Sequence, residues 1–501
     1  MSGSIGDTKY VGPEKIVVAM DVGTTMTAVS FSYLYPNDYA RVRMVNKWPG
    51  QPDSVGSSKI PTILVYHQRQ CKACGPEALA YADNSQYNMV KWFKLHLHPP
   101  SMKISDTPPP YESASGTSSF EIPPFPELVS IHQVYSDFLR YLMENTQNSF
   151  EQSIPNGPAV WRRLRSNMVL ILATPNGWDL NQQAVLRKAA IDAGLVKEDA
   201  AHDLLDFITE GEASVHYVLS YSQSKSWLEV GSTFAVVDAG GSTVDSTLYK
   251  CTSTTPRITL EEFCPSECIQ AGGVFIDRAA EKLFKSKLSG SKFGDDDCIA
   301  EMVGAFESRT KRLYDGSLGN YVVDFGGTRD NDRPYGIIRG KLPLTSQEVS
   351  SAFEDVVQRI GNSCSRLLGA HKVKYLLLVG GLGESQHLQK RMRERFEFEG
   401  ISIVTAEEPL KKAAAEGALI WYIKHTVTAR IARKTIGVEI HQAYNPSDHQ
   451  HALRRGLAWI DHDGSWRITG EYTPLLIKGT RMESDYTKVA PFYRLHTSLQ
   501  D

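Results

Sequence analysis

Two acidic, glycine-rich turns contain the residues of this chain that are best suited to phosphate chemistry. In the first turn an apolar run leads into Asp21, which is followed by Gly23, Thr24 and Thr25. Glycine lets the backbone approach a ligand closely and turns its N–H groups outward, which suits an anion such as phosphate. A carboxylate at the mouth of such a turn can hold a divalent cation that bridges phosphate oxygens. The pattern therefore predicts a site for a phosphate group and a metal ion.

The second turn repeats this order of residue types far along the chain. Asp238 follows an apolar run and precedes Gly240, Gly241, Ser242 and Thr243. Strand-like patterns flank both turns, so we expect two β-hairpins with glycine-rich tips. A lone aspartate in a turn usually caps backbone N–H groups, but two at matched positions favour the metal site. Two hairpins that face each other would hold a nucleotide's phosphates and its metal ion from both sides.

The elements that must position these turns alternate between strand and helix patterns. An apolar strand over 168–173 precedes a helix over 181–193, and a short strand over 206–209 delivers Glu210 into a loop before a helix over 212–220. This order predicts an α/β arrangement whose sheet-end loops are open to ligands. Glu210 can serve there as a base, or it can simply be an acidic residue near a helix start.

A third glycine turn lies in the second half of the chain. The apolar run 375–379 ends in Gly380 and Gly381, and a helix pattern begins at Ser385. A helix N-terminus behind a glycine turn can accept part of a nucleotide, although close packing explains the same glycines.

Composition narrows the class of protein. The chain has 501 residues and a formal net charge of −3, which provides no global attraction to nucleic acid or to an anionic membrane. It contains no apolar run of about 18 residues, and its first ten residues are polar. We therefore expect a soluble cytoplasmic protein, with nuclear access left open, and no nucleic-acid or membrane partner.

The seven cysteines do not form a disulfide framework in a chain of this length. Cys71 and Cys74 have the spacing of half a zinc site, and Cys264 and Cys268 are the candidates for the other half. The second spacing is loose, so we favour free thiols over a structural zinc ion.

Taken in order, the motifs resemble those of the actin-like ATPases, a group that includes actin, sugar kinases and the seventy-kilodalton heat-shock chaperones. The resemblance rests on Asp-Val-Gly-Thr-Thr at 21–25, Asp-Ala-Gly-Gly-Ser-Thr-Val-Asp at 238–245 and Leu-Val-Gly-Gly-Leu-Gly-Glu-Ser at 378–385. Supporting stretches are Ala-Thr-Pro at 173–175, Phe-Lys-Leu-His at 93–96 and Gly-Gly at 272–273. Within the heat-shock branch the chain looks most like the divergent subfamily called heat-shock protein family A member 12 and its fungal relatives.

The resemblance implies the actin-like ATPase (ribonuclease H-like) fold, with two lobes that each contain a mixed β-sheet flanked by helices and with ATP or ADP and Mg²⁺ in the cleft between them. Asp21 and Asp238 are then the metal anchors, and Lys94, Glu210, Asp238 and Thr243 the catalytic candidates, with Lys91 as the alternative to Lys94. The residues expected to bind the nucleotide are Asp21, Gly23, Thr24, Thr25, Gly240, Gly241, Ser242, Thr243, Gly273, Ser308, Lys311, Arg312, Gly380 and Gly381. For Lys311 and Arg312 a solvated helix face is the other interpretation.

The expected organisation has four parts. Residues 1–13 are expected to be disordered, 14–231 to form the first lobe with a Pro/Ser-rich insertion at 99–126, and 232–425 the second lobe, with a helix over 411–423 between the lobes. Residues 426–501 form a short extension that is too small for a full peptide-binding domain.

Two departures from the chaperone pattern leave three functions open. Thr209-Glu210-Gly211 stands where ordinary chaperones have Asn-Glu-Pro, and Leu382 replaces a serine of the adenosine motif. The first function is a chaperone-like, slowly hydrolysing ATPase with co-chaperones or client proteins as partners. The alternatives are a nucleotide sensor without useful turnover and a small-molecule kinase of the sugar type.

Overall fold

The computed structural model describes residues 4–51, 58–82, 84–99, 102, 122–221, 227–255, 257–369, 371–405, 413–483 and 486–490. Most of the expected insertion at 99–126 lies outside these residues, as do positions 411–412 of the helix expected over 411–423.

Eleven strands and five α-helices form the first half of the described chain. The strands are β1 (Ser4–Lys9), β2 (Lys15–Val22), β3 (Met26–Leu34), β4 (Tyr39–Arg41), β5 (Arg43–Met44), β6 (Lys59–Pro61), β7 (Ile63–His67), β8 (Gln70–Cys74), β9 (Asn88–Lys91), β10 (Val169–Thr174) and β11 (Leu205–Thr209). The helices are α1 (Ile131–Ser153), α2 (Gly157–Leu164), α3 (Leu180–Asp192), α4 (Ala201–Leu204) and α5 (Glu210–Tyr221), and short 3-10 helices cover Gly75–Tyr81 and Phe93–Leu97.

The second half has thirteen described strands and seven α-helices. The strands are β12 (Thr233–Ala239), β13 (Val244–Ser253), β14 (Thr259–Glu262), β15 (Glu267–Ile269), β16 (Asn320–Asp324), β17 (Lys341–Thr345), β18 (Tyr375–Val379), β19 (Ser402–Thr405), β20 (Val427–Ile431), β21 (Ile436–Ala443), β22 (Ala458–Ile460), β23 (Trp466–Leu476) and β24 (Arg481–Glu483). The helices are α6 (Gly273–Lys287), α7 (Asp296–Ala305), α8 (Lys311–Leu313), α9 (Ser346–Leu368), α10 (Gln386–Phe396), α11 (Ala413–Lys424) and α12 (His449–Leu453).

The first large sheet brings the end of the first hairpin to the end of β11. Its order is β11-β10-β2-β3-β5, with β6 also paired to β3; β10 runs parallel to β2 and β11, and β2 and β3 form an antiparallel hairpin. Ala173 is level with Asp21, and Thr174 with Thr209. The carboxyl ends of these parallel strands therefore place Asp21 and Glu210 at the same sheet edge.

The second large sheet likewise contains an antiparallel hairpin next to a parallel strand. Its order is β19-β18-β12-β13-β14-β20-β24, with β15 paired to β13. β12 and β13 form the second hairpin, and β18 runs parallel to β12 with Asp238 level with Val379. Asp238 and the Gly380 turn therefore lie at one edge. The α/β prediction, with mixed sheets flanked by helices, is confirmed.

Two helices fill the space between the sheets. Helix α11 packs on the first sheet, where Ala414 and Ala418 contact Val17 and Ala19. Helix α5 packs on the second sheet, where Val215 lies in one cluster with Phe234 and Val236. The other faces of the two sheets carry their own cores, one under α1 and α3 and one under α6, α9 and α10.

Near the start of the chain, where disorder is expected over residues 1–13, the structure assigns strand β1, which pairs with β4. In the segment expected as a short extension after residue 425, β20 pairs in parallel with β14 and β24 pairs with β20. Strand β20 thus extends the second sheet, while β21, β23 and β22 form a small sheet of their own. Within the described residues, no helix combines the length and apolarity that a membrane crossing requires.

Candidate functional site

The tips of the two hairpins touch each other. The hydroxyl oxygens of Thr24 and Ser242 lie 2.5 Å apart in a buried hydrogen bond. A Cβ on Gly241 would lie only 2.8 Å from the Oγ1 of Thr25. The hairpins that the sequence predicted to face each other therefore do so, although they come from different sheets.

A cavity of about 410 Å³ opens beside this contact. That volume is within the usual range for small-molecule sites, about 300–1,000 Å³. Its lining residues are Asp21, Gly23, Thr24, Thr25, Met26, Lys59, Lys94, Glu210, Asp238, Gly240, Gly241, Ser242, Thr243, Gly273, Val274, Asp277, Glu307, Lys311, Arg312, Gly380, Gly381, Leu382, Glu384, Ser385, Ala413 and Ala414. Both aspartates, both hairpin tips and the third glycine turn thus share one cavity.

Ser308 is the one predicted site residue that does not line this cavity. It is exposed, and its hydroxyl donates to the carbonyl of Ala305 in its own helix. The chain forms a π-helical turn over Phe306–Thr310, and the wider turn brings Glu307, not Ser308, onto the face of Lys311. The structure therefore does not bring Ser308 to the cavity wall with the other predicted residues.

Glycine is required at two positions of the cavity wall. A Cβ on Gly23 would lie 2.3 Å from the carbonyl oxygen of Met26. Gly380 has a left-handed backbone (φ +85°), and a Cβ there would lie 2.3 Å from the Oδ1 of Asp238. At both positions the backbone approaches its neighbour more closely than any side chain allows.

The hairpin tips are strongly acidic. Asp21 is buried, and the Oδ2 of Asp238 accepts a 2.6 Å hydrogen bond from Ser214 on α5. The pKa of the Asp238 carboxyl is raised to about 7. Burial is the largest cause, the charges of Asp245 and Asp21 act in the same direction, and the hydrogen bond from Ser214 opposes them. Buried carboxylates that repel one another favour a bound cation.

A buried ion pair faces these carboxylates. The Nζ of Lys94 lies 2.5 Å from the Oε1 of Glu210, and the lysine side chain is only 3% exposed. Burial raises the pKa of Glu210 to about 8, against the opposing charge of Lys94. Glu210 is the first residue of α5 and does not lie in a loop.

The two candidate lysines occupy different positions. Lys94 lines the cavity, whereas Lys91 is exposed and lies over the ring of Trp92, with 5.0 Å between its Nζ and the ring centroid. A left-handed backbone at Trp92 (φ 58°) separates the two lysines. The sequence register could not reveal this turn because tryptophan rarely adopts that conformation.

The sequence analysis missed Lys59 as a cavity residue. Its Nζ lies 3.9 Å from the Oδ2 of Asp21. β6, which carries Lys59, pairs with β3 of the first hairpin. The sequence signal was weak, because this lysine lies in a stretch whose Pro, Gly and Ser content indicated a loop.

The cavity lining also contains a second ion pair and an acceptor oxygen without a donor. Lys311 donates to both carboxylate oxygens of Asp277 at 2.7 Å, and burial raises the pKa of Asp277 to about 6 against that charge. Among the described residues, the Oε1 of Glu384 is buried without a hydrogen-bond partner. Asp277 lies one helical turn after Gly273, the first residue of α6. Residues at this spacing lie on the same face of a helix, so the sequence could have predicted Asp277 beside Gly273 in the cavity.

The donor set at the hairpin tips fits a phosphate group with a divalent cation. Three glycine-rich turns line the cavity and can donate backbone N–H groups to phosphate. Two aspartates in the same lining supply the hard oxygen ligands that a divalent cation prefers. Within the described ranges, no three His, Cys, Asp or Glu side chains are grouped to hold a metal ion by themselves. Mg²⁺ in particular usually keeps several waters and binds through one or two carboxylates together with phosphate oxygens.

Comparison with known proteins identifies similar chains, although no protein-family model matches. Human heat shock 70 kDa protein 12B is 23% identical over 531 aligned positions, which cover 89% of this chain and 74% of the relative. Mouse and human heat shock 70 kDa protein 12A are each 21% identical, covering 95% of this chain and 80% of the relatives. The similarity thus extends over most of both chains.

Proposed function

We propose a function from the premise that this chain is a divergent relative of the seventy-kilodalton heat-shock proteins with the actin-like ATPase fold. It binds ATP with Mg²⁺ between its two Asp-Gly hairpins and hydrolyses the nucleotide slowly to ADP and phosphate, as a chaperone-like protein. The observation that carries the proposal is the single cavity shared by the contacting hairpin tips, with Asp21 and Asp238 in its wall.

The hairpin tips bind the phosphates. Residues 23–25 and 240–243 line the cavity, and a Cβ at Gly23 or Gly241 would clash with a neighbouring residue. The N–H of Gly240 donates to the carbonyl of Thr243, so the phosphates bind to other backbone N–H groups of these tips. Asp21 and Asp238 would hold Mg²⁺, largely through water, and the bound ion would neutralise phosphate charge. The nucleoside then extends toward Gly273, Arg312 and the Gly380–Gly381 turn, so the cavity accommodates a whole nucleotide.

Lys94 and Glu210 supply the groups that hydrolysis needs. Lys94 is a buried cation that can neutralise charge on the transferred phosphoryl group. Glu210 can orient the attacking water and take its proton, and its raised pKa makes it a stronger base than an exposed carboxylate. Thr243 also lines the cavity, and its hydroxyl can position the attacking water. These roles require the Lys94–Glu210 pair to open when the nucleotide binds.

The same ion pair favours a second candidate, a nucleotide sensor with no useful turnover. In the structure both catalytic candidates are engaged with each other. If the pair stays closed on a bound nucleotide, neither residue can act on the phosphate or the water. ATP would then be bound and reported to a partner without being consumed.

Turnover measurements separate these functions. Purified protein is assayed for ADP release with ATP and Mg²⁺ alone, with a sugar panel and with an unfolded peptide. We expect slow release that does not depend on sugar and that peptide or a co-chaperone modulates. Tight ATP binding without release would identify the sensor, and sugar-dependent release would identify the kinase instead.

A further inference from the structure

The inference concerns Cys71 and Cys74, which belong to a bulged strand away from the nucleotide cavity. In the pairing of β8 with β7, Leu64 is level with Cys74, Val65 with Ala73, and Tyr66 with Cys71. The register shifts between Val65 and Tyr66, so Lys72 is an extra residue without an opposite partner. In a regular strand two residues three positions apart point to opposite faces. The bulge removes one step of this alternation and brings both thiols to one face.

The two sulfur atoms are close enough to react. Their separation is 3.5 Å, and both cysteines are free thiols. A disulfide bond requires about 2.05 Å between the sulfur atoms, so a small movement of two side chains in an already bulged strand would close it.

We propose that Cys71 and Cys74 are a modification site that closes reversibly to a disulfide with a small-molecule disulfide as oxidant. The Cys71 thiolate attacks one sulfur of the oxidant, which forms a mixed disulfide and releases one small thiol. The Cys74 thiolate then attacks the Cys71 sulfur, which forms the protein disulfide and releases the second small thiol. Two protein thiols are oxidised and one small-molecule disulfide is reduced to two thiols, so atoms and electrons balance.

The order of the two steps follows from exposure. Cys71 is partly exposed and lines an open groove of about 330 Å³ on the surface beside α1, with Arg69 and Arg140 among the other lining residues. Cys74 is buried behind it, 3.5 Å from the Cys71 sulfur, so an oxidant in solution reaches it less readily. Cys71 is therefore the thiol that an oxidant reaches first, and Cys74 resolves the mixed disulfide.

The site is too local to act as a structural staple. The stabilisation that a disulfide provides through the unfolded chain grows with the length of the loop that it closes, and here only two residues lie between the cysteines. We therefore expect oxidation to change thiol reactivity and to leave the melting temperature nearly unchanged. The hydroxyl of Tyr66, opposite Cys71, is held by Asp137 on α1 at 2.9 Å and fixes the bulge independently.

The test uses the full chain without nucleotide, so that it does not depend on the proposed ATPase. The protein is equilibrated in buffers of reduced and oxidised glutathione, the thiols are trapped with an alkylating reagent, and the peptides are identified by mass spectrometry. We expect both thiols to be lost to alkylation together, the peptide mass to fall by two hydrogen atoms, and both thiols to return with dithiothreitol.

Two variants and a matched control make the order of attack visible. Cys74→Ala should leave a stable mixed disulfide on Cys71, and Cys71→Ala should leave Cys74 unmodified. Cys298→Ala, which removes a partly exposed thiol elsewhere, should change nothing. The proposal is overturned if Cys71 and Cys74 are alkylated independently at every glutathione ratio, or if Cys71 pairs with another cysteine.

Discussion

At the residue scale, Lys94 and Glu210 form the pair whose opening decides whether bound ATP is consumed. Lys94 is buried, the Glu210 side chain is 14% exposed, and each provides the opposite charge for the other in the absence of ligand. Removal of one partner of a buried pair leaves the other uncompensated. Their effect on turnover must therefore be separated from their effect on folding.

Lys94→Ala should reduce ATP turnover by at least tenfold while ATP affinity changes much less. The reason is that charge neutralisation matters most where charge develops in the reaction. Single-turnover hydrolysis and equilibrium ATP binding are measured on the same preparation, with a melting curve to check folding. Lys91→Ala, three residues away and outside the cavity, is the matched control. A control that loses as much turnover as the Lys94 variant would contradict the assignment.

Glu384→Gln should weaken ATP binding by about tenfold, because it replaces a hydrogen bond to a charged acceptor, which contributes about 1.5–3 kcal/mol, with one to a neutral acceptor, which contributes about 0.5–1.5 kcal/mol. Its Oε1 is buried without a donor, and a base amino group or a ribose hydroxyl would supply one. Calorimetric ATP binding is compared with that of Glu399→Gln, an exposed glutamate in the same part of the chain. Equal affinities for the two variants would remove the role of Glu384.

At the element scale, the two helices between the sheets are in close contact. The carbonyl of Ala213 on α5 would lie only 1.8 Å from a Cβ on Gly417 of α11. The small residues of α11 let it pack closely on β2 and β10 of the first sheet. Its tightest approach, however, is to α5, which begins with Glu210.

Gly417→Ala should lower the free energy of unfolding by about 1–3 kcal/mol, because overpacking of a fixed contact costs that much. Gly304→Ala is the control, since Gly304 lies in α7 with nothing near its missing Cβ. There we expect stability to be unchanged or to rise by up to about 1 kcal/mol, the gain of alanine over glycine in a helix. Denaturant unfolding measures both, and equal effects would show that the α5–α11 contact tolerates a methyl group.

A buried ion pair joins α5 to β20. Arg430 donates to the two oxygens of Glu212 at 2.9 and 2.6 Å. Although burial opposes ionisation of Glu212, His216, whose Nε2 lies 3.8 Å from the Oε1 of Glu212, and the charge and hydrogen bonds of Arg430 lower its pKa to about 2. Removal of the arginine leaves a buried carboxylate without its main partner, so Arg430→Ala should cost about 3 kcal/mol of unfolding free energy. Arg481→Ala, which breaks an exposed pair with Glu261, should have little effect.

The same pair has a defined pH dependence. Because the folded pKa of Glu212 is depressed from 4.5 to about 2, its contribution to stability is present above about pH 4.5 and is lost as the pH falls toward 2. The difference in unfolding free energy between the unmodified protein and Glu212→Gln should therefore shrink over that interval. A difference that is constant from pH 6 down to about pH 3 would contradict the depressed pKa.

The sequence predicted the elements that are local and missed the contacts that are not. Both hairpins and the Gly380 turn could be predicted because strand and glycine residues, with an aspartate in each hairpin, follow one another in the chain. Lys94 was expected only from the family resemblance of residues 93–96. The sequence could not predict that Lys59, Glu307 and Glu384 line the cavity, because their positions depend on the pairing and packing of distant segments. Ser308 does not line the cavity, because the π-helical turn at 306–310 breaks the period of 3.6 residues on which its face was predicted.

At the scale of the whole molecule, the two halves meet around the cavity. The hydrogen bond between Thr24 and Ser242 joins the two hairpin tips beside the cavity. Trp92 of the first half also packs against Arg278 of the second half, with 4.7 Å between the guanidinium carbon and the ring centroid. β20 and β24 extend the second sheet, so the segment after α11 is anchored next to the half that holds Asp238. A ligand that binds both hairpin tips would therefore bridge the two halves.

The most direct measurement is calorimetric titration of ATP, with and without Mg²⁺, into the unmodified protein, Asp21→Asn, Asp238→Asn and the double variant. In the unmodified protein we expect one ATP site whose affinity depends on Mg²⁺. Each single variant should lose most of this Mg²⁺ dependence. The double variant should lose little more, because both aspartates hold the same ion. Mg²⁺-dependent ATP affinity that is equal in all four proteins, or a variant at one aspartate that leaves it intact, would contradict a nucleotide shared by the two hairpins.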